Sequence, residues 1–459
     1  MTHLERYFSL SPYSIVAVVA RIKGNISEEM LVDAVSKVQQ RHQNLRVRIE
    51  EDNNHVLWFT SEGVKEIPVE IILRESNKHW ELAFEEACKI PFEFDTRPAI
   101  RFILIQSPTA SELIILCHHI ICDGMSLAYL ARDMMIYLGD PEREVEVLPD
   151  PVPMDKDNIP KEVKLNGIVK FVIYRINRKW EKDKIFFDQE DYRNLNEAYW
   201  KNFRHKMISV ELSETETSAL VDRCRKEEVT VNSALATAFM GAQYLVQGEK
   251  PYHSSIAVAG NMRDRLPKPA GEAMGFFAGV ITLKYKYDGK ISFWENARRF
   301  HRKAGPSFTN KNLFKEYTPW LYLEPAILEA INFKRLGGLI PQNSARFQKL
   351  SDFSRRNDVV STLLKRSDLD SLNRIIMGTA VTNLTRLDFP RTYGTLELDR
   401  LLMHPGGAFP LVNVNLVLGA VTCSGKLSLV LEYAEEAVKT EIMERIKDLA
   451  LEFLFNEVK

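Results

Sequence analysis

The sequence predicts an α/β protein built as two lobes, and three observations carry that expectation. The chain has 459 residues, more than the ~250–300 at which a single core stops growing. Apolar residues make up 45% and charged residues 27% of it, the mix of an ordinary soluble globular protein. Strand and helix patterns occur together in both halves, so each half is expected to form an α/β sandwich. The expected division is a first lobe over residues 1–165, a linker or interdomain helix over 166–205, and a second lobe over 206–459.

In the first half, Leu10 to Ile22 is rich in Val, Ile and Ala and reads as a strand. Ser27 is an N-cap for a helix that places Leu31, Ala34, Val35 and Val38 on one face. Leu45 to Ile49 alternates like a strand, and Val56 to Phe59 is a short apolar one. Ala99 to Ile105 and Glu112 to Cys117 are two more, with Ser107-Pro108-Thr109 as the turn between them. Ser126 to Leu138 is a helix stopped by Gly139.

Residues 149–160, with Pro151 and Pro153, read as a linker. Val163 to Arg204 is basic and aromatic. It reads as an amphipathic interdomain helix, with peripheral contact of the same face with a membrane as the alternative. In the second half, Thr230 caps a helix running to Leu245. Ser254–Ala259, Gly279–Tyr285, Gly378–Leu384, Asn413–Cys423 and Leu427–Tyr433 are strands. Phe293 to Arg366 is mostly helical, and Ala437 to Phe455 closes the chain.

Charge and composition exclude some functions. Lys plus Arg number 61 against 62 Asp plus Glu, a net charge of −1. No global field draws in nucleic acid or an anionic membrane. The N-terminus lacks a basic region followed by an apolar run, so no signal peptide is expected. Apolar stretches such as Leu113 to Leu116 fall far short of the ~20 residues of a transmembrane helix. The cysteines, Cys88, Cys117, Cys122, Cys224 and Cys423, are odd in number and scattered. Such usage fits a reducing cytoplasm, the expected location.

The chemistry concentrates in Leu116-Cys117-His118-His119-Ile120-Ile121-Cys122-Asp123-Gly124-Met125-Ser126. An apolar strand ends in two histidines, and a turn with Asp123-Gly124 leads into a helix. A strand end is a rigid support. Histidine takes up a proton near neutral pH. Asp123 orients the loop, and Gly124 admits backbone conformations that other residues resist. The competing readings are a satisfied strand-end histidine and a metal cluster of Cys117, His118, His119 and Cys122. Adjacent strand residues point to opposite faces, which argues against the metal.

His118-His119-x-x-x-Asp123-Gly124 resembles the HHxxxDG signature of condensation domains, polyketide-associated and alcohol acyltransferases, and wax-ester synthases. Four further segments follow the same order. Arg41-His42-Gln43-Asn44-Leu45-Arg46 resembles "RHPxLR", and Pro91-Phe92-Glu93-Phe94-Asp95 followed by Pro98 resembles "PFD…P". Asn261-Met262-Arg263-Asp264-Arg265-Leu266, then Gly275, resembles "NLRxRL…G". Thr382-Asn383-Leu384, then Tyr393-Gly394, resembles the "SNLG…YG" of the alcohol-acyltransferase-like branch. The DFGWG motif of plant-type members is absent; Leu387-Asp388-Phe389-Pro390-Arg391 stands in its region.

The resemblance implies two chloramphenicol-acetyltransferase-like lobes in a V shape with a tunnel between them. It implies that His119 is the catalytic base, that His118 supports it, and that Asp123 is structural and pairs with Arg263. Asn383 stands near the tunnel or is a plain strand-end Asn. The implied reaction is acyl transfer from a thioester, acyl-CoA or a phosphopantetheine-loaded acyl carrier protein, to a small-molecule alcohol. No metal and no bound cofactor are implied. A free-standing amide-forming condensation enzyme and a catalytically silent carrier-binding module are the alternatives. The basic runs Arg175 to Lys184 and Lys349 to Arg356 are read either as contacts for an acidic carrier or the CoA phosphates, or as solvated helix faces. A backbone N–H near Gly124 is the expected oxyanion donor.

Overall fold

The computed structural model describes residues 1–407 and 409–456. Its strands are β1 (Ile15–Lys23), β2 (Arg48–Glu51), β3 (Leu57–Thr60), β4 (Val69–Leu73), β5 (Ile100–Gln106) and β6 (Ala110–His118) in the first half. The second half holds β7 (His205–Glu211), β8 (Ser255–Asn261), β9 (Ala278–Lys284), β10 (Met377–Leu387), β11 (Thr392–Tyr393), β12 (Leu396–His404), β13 (Val414–Cys423) and β14 (Lys426–Ala434). Two six-stranded sheets result, ordered β11-β12-β1-β6-β5-β4 and β7-β14-β13-β10-β8-β9. With helices packed on both, this is the two-lobed α/β architecture expected.

The lobes exchange chain. β11 and β12, from residues expected in the second lobe, complete the first sheet: β12 pairs antiparallel with β1, Ala17 opposite His404. On its other side β1 pairs with β6, Ile15 opposite His118. Flanked on both sides and covered on both faces, β1 is buried through Ala20, as its unbroken run of Val, Ile and Ala requires.

Four helices of the first half bear on the site: α1 (His3–Phe8), α2 (Glu28–Arg41), α3 (His79–Lys89) and α4 (Gly124–Gly139). Ser27 caps α2 by accepting from the Met30 amide, as expected. Arg41 and His42, where α2 ends, both bond the buried Asp133 of α4, at 2.8 and 2.9 Å. The "RHPxLR"-like segment thereby fixes α2 against the helix that follows the double histidine. α1 and α3, together with β4, lie in stretches whose pattern gives no helix or strand reading.

The basic stretch 163–204 departs from the expectation of one interdomain helix. It is two helices, α5 (Gly167–Trp180) and α6 (Gln189–Asn202). The break falls in the charged turn after Trp180, and Asp188 restarts the chain as a reciprocal capping box with Asp191. α6 buries Tyr192, Leu195, Ala198 and Tyr199, whereas α5 buries only Ile173 and Trp180.

Candidate active site

Three strand ends converge on the double histidine. β6 ends at His118, β1 begins opposite it at Ile15, and β12 ends at His404 beside them. The His119 amide bonds the Ser14 carbonyl at 2.7 Å, fixing the exit of β6 to the entry of β1. The two side chains then part, as strand alternation demands. His118 turns into the core, edge-on to Phe92 and Phe94. Both are residues of the "PFD"-like segment, so that segment forms the packing wall of the motif.

The hydrogen bonds fix both tautomers. His118 Nδ1 accepts from the Ile120 amide at 3.3 Å, which leaves Nε2–H to donate to the Ser11 carbonyl at 3.2 Å. Burial holds this imidazole at a pKa of about 3, so it is neutral at working pH and both its nitrogens are occupied. His119 is the reverse case. Its Nδ1 lies 3.1 Å from the Cys122 carbonyl, an acceptor only, so Nδ1 carries the proton and donates. The lone pair of Nε2 is left without a protein partner among the described residues. Burial lowers the pKa of His119; the Cys122 bond and the charges of Asp123 and Glu432 pull the other way. The outcome is a neutral imidazole with a free basic nitrogen, the form a general base needs.

The surroundings of Nε2 come from three distant segments. The His119 ring lies 5.3 Å from Phe8 at the end of α1 and 5.3 Å, at 89°, from Phe276. The Pro405-Gly406 tail of β12 forms the third side. A β-carbon on Gly406 would stand 3.8 Å from His119 Nε2 and 2.2 Å from the Ile15 carbonyl oxygen, and Gly406 has φ of +65°. Only glycine accepts that combination without displacing the strand entry.

Asp123 is placed by a different set of bonds. It caps α4 by accepting from the Ser126 amide at 2.7 Å, and Arg263 Nη2 donates to its Oδ1 at 2.7 Å. The Phe277 amide donates to the other oxygen at 2.9 Å. Ser126 Oγ stands between the pair, 2.8 Å from Asp123 Oδ1 and 2.6 Å from Arg263 Nη2. Arg263 also donates to the Gly271 and Ala273 carbonyls. Asp123 and Arg263 are almost wholly buried, and the Arg263–Asp123, Arg263–Ser126 and Phe277–Asp123 bonds join the helix after the double histidine to the 261–277 segment of the second half.

Recesses open on either side of residues 275–277. One, of about 790 Å³, is lined by Leu4, Asn44, Met154 and Phe276 among others. The other, of about 670 Å³, is lined by Gly124, Tyr129, Asn261 and Asn383. Phe277 borders both. Asn383 therefore faces a recess, and its Oδ1 also accepts from the Thr385 amide at 2.7 Å as a strand-end Asn would.

A buried polar group beneath the site gives no sign in the sequence. Tyr13 donates to Glu432 at 2.6 Å, His205 Nδ1 lies 3.3 Å from the same oxygen, and Tyr199 Oη lies 2.5 Å from His205 Nε2. His404 packs on Phe84 and is held by burial at a pKa of about 4. Apart from Tyr199 and His205, six residues from each other, these residues are far apart in the chain, and no local pattern links the group. Among the described residues no three His, Cys, Asp or Glu side chains are grouped to hold a metal ion.

Residues 2–148 match the family model of the condensation domain. Nonribosomal peptide synthetase 30 of Fusarium vanettenii is 24% identical over 341 residues, covering 68% of this chain and 5% of that protein. Bacitracin synthase 1 of Bacillus licheniformis is 23% identical over 63% of the chain and 6% of its own length. The chain thus spans only a small part of these curated relatives. Among solved structures, polyketide synthase associated protein 5 of Mycobacterium tuberculosis superposes with a TM-score of 0.60 at 14% identity, over 100% of this chain and 97% of its own. The trichothecene 15-O-acetyltransferase of Fusarium sporotrichioides gives 0.61 at 11% identity, over 99% and 94%. The first condensation domain of the CDA synthetase gives 0.58 at 14%, over 99% and 94%. The condensation-domain match thus covers the first third of the chain, where HHxxxDG lies, and the two-lobed fold of these solved structures extends over the whole of it.

Proposed function

We propose that this relative of the condensation domains is an acyltransferase that moves an acyl group from a thioester to the hydroxyl of a small molecule, with His119 as general base. The observation that carries the reading is the His119 ring itself. Its Nδ1–H is committed to the Cys122 carbonyl, so Nε2 is free to take a proton, and two recesses flank the segment beside it. His119 Nε2 accepts the acceptor's hydroxyl proton as its oxygen bonds the thioester carbonyl carbon. The carbon–sulfur bond then breaks, and the leaving thiolate takes the proton back from Nε2. Base catalysis of this kind contributes ~10²–10⁴-fold, and positioning of both substrates supplies much of the rest.

The donor is acyl-CoA or an acyl carrier protein bearing phosphopantetheine, acting as co-substrate. Asp123 and Arg263 hold the two halves in register around the base, and His118 is a neutral packing residue. Gly124 begins α4, where Asp123 takes up the Ser126 N–H, so the N–H of Gly124 or Met125, ahead of it in the first turn, is the candidate donor to the oxyanion. Thr382-Asn383-Leu384 supports an alcohol as acceptor. The condensation-domain match supports the second reading, an amine acceptor and an amide product.

Thiol release from a panel of acyl-CoA and acyl-carrier thioesters, offered alcohols and amines, tests the proposal with wild type beside His119→Ala. Turnover that collapses in the variant is the expected result, and the preferred acceptor chooses between ester and amide. Equal rates in both proteins would remove His119 from the mechanism.

A further inference from the structure

Helix α5 presents to solvent the face that an amphipathic helix ordinarily hides. Ile168 is 78% exposed, Phe171 58% and Tyr174 55%, with Val169 and Val172 also outside. Of its apolar side chains only Ile173 and Trp180 are buried. Single exposed apolar residues are normal, but five within about two turns form a contiguous patch and mark a contact surface.

The charge on the same helix is one-sided. Residues 167–180 contain Lys170, Arg175, Arg178 and Lys179 and no carboxylate. The groove between α5 and residues 359–366 adds Lys182 and Arg366 and has no acidic lining residue. Nearby acids face elsewhere: Glu181 pairs with Lys184, and Asp183 pairs with Arg356. Among the described residues, Arg175, Arg178, Lys179, Lys182 and Arg366 form no ion pair with a carboxylate.

The two halves of the outward face differ. Ile168, Phe171 and Val172 occupy its first turns, and Arg175, Arg178 and Lys179 follow on the same side at helical spacing. Tyr174, apolar in body and polar at its tip, lies where the two meet. A helix that seats its apolar side chains at the acyl boundary, with cations at the level of anionic headgroups, has this composition. At 1.5 Å per residue α5 is about 21 Å long, too short to span a bilayer, and no described helix is long and apolar enough to cross a membrane.

We propose that the α5 face, Ile168, Phe171 and Val172 with the cations Arg175, Arg178 and Lys179, seats the protein on an anionic phospholipid surface. An acidic protein partner would match the cations but leave Ile168 and Phe171, the most exposed apolar side chains of the helix, without an apolar counterpart. For that reason lipid is the occupant to which the patch commits.

Flotation of the full chain tests this, with vesicles of phosphatidylcholine alone and of phosphatidylcholine with phosphatidylserine. Wild type is expected to float with the anionic vesicles and to be released as sodium chloride is raised. Ile168→Ser with Phe171→Ser, and separately Arg175→Glu with Lys179→Glu, should each weaken vesicle binding by roughly tenfold or more, with unchanged circular dichroism and thermal midpoint. Equal recovery of wild type with both vesicle types, or binding that neither variant weakens, would overturn the proposal. Binding of an acidic carrier protein through these residues without vesicle binding would overturn it too. None of these readouts depends on turnover, so the outcome is independent of the acyltransferase reading.

Discussion

Arg263 donates from Nη2 to Oδ1 of Asp123 at 2.7 Å, and both side chains are buried. The pair spans 140 residues of sequence and links the helix after the double histidine to the second half of the site. Removing one partner of a buried ion pair strands the other, at about 3–5 kcal/mol. Arg263→Ala is therefore expected to lose stability on that scale in urea denaturation. Asp123→Ala combined with Arg263→Ala should cost less than the sum of the two. Additive losses would show that the ion pair does not couple the two elements.

The pH dependence of turnover follows from His119. A base acts only when unprotonated, and burial lowers this imidazole's pKa. The acid limb of kcat/KM is thus expected to have its midpoint below the ~6.5 of free imidazole. His119→Ala should abolish the limb along with ~10²–10⁴ of the rate. A midpoint above that of free imidazole would require a different group as base.

Acid stability should be governed by the histidines that stay neutral in the fold. His118, at about 3, and His404, at about 4, are both depressed by burial. Below ~6.5 the unfolded chain binds protons that the folded chain refuses, so stability falls as pH falls, by up to ~1.4 kcal/mol per pH unit for each group. Urea midpoints measured from pH 7 to 5 should show this slope. His118→Gln, which still packs at the position but does not titrate there, should flatten it. An unchanged slope in that variant would mean that His118 is protonated in the folded protein.

Gly406→Ala would set a β-carbon 2.2 Å from the Ile15 carbonyl oxygen at a φ of +65°. Residues 405–406 must move, and they pack beside His119 Nε2. Misplacement of about 1 Å at such a position costs on the order of 10²-fold in rate. The variant should keep wild-type circular dichroism and lose turnover on that scale. Full turnover would show that this tail is not part of the reacting site.

The site's centre is legible in the sequence and most of its surroundings are not, for physical reasons. His118, His119, Asp123 and Gly124 lie within one short stretch, so a single strand-turn-helix pattern displays them together. Ser126 reads as the start of a helix, but its bonding to Arg263 and Gly275 depends on contacts across 137 and 149 residues. Tyr393-Gly394 is visible only as a resemblance. Packing supplies its reason: a β-carbon on Gly394 would lie 2.2 Å from the carbonyl oxygen of Gly139, where α4 ends. β12 escapes notice because Leu396-Glu-Leu-Asp-Arg-Leu-Leu-Met-His alternates only at its start. Its later residues are buried on both faces between β1 and the second lobe, where the period-two signal vanishes. α5 misleads in the other direction. Its periodicity is that of a buried helix, and only the structure shows the apolar face turned outward.

The pairing of β12 with β1 also sets a timetable for synthesis. β1 is made long before its partner on one side, which ends at His404. At ~5–20 residues per second the delay is on the order of 20–80 s. Throughout it, an apolar strand offers a row of open N–H and C=O groups to any strand that arrives first. Ribosome-bound chains of this protein are thus exposed to mispairing until the segment through His404 has emerged, and the wall that Gly406 contributes beside His119 is assembled only after that.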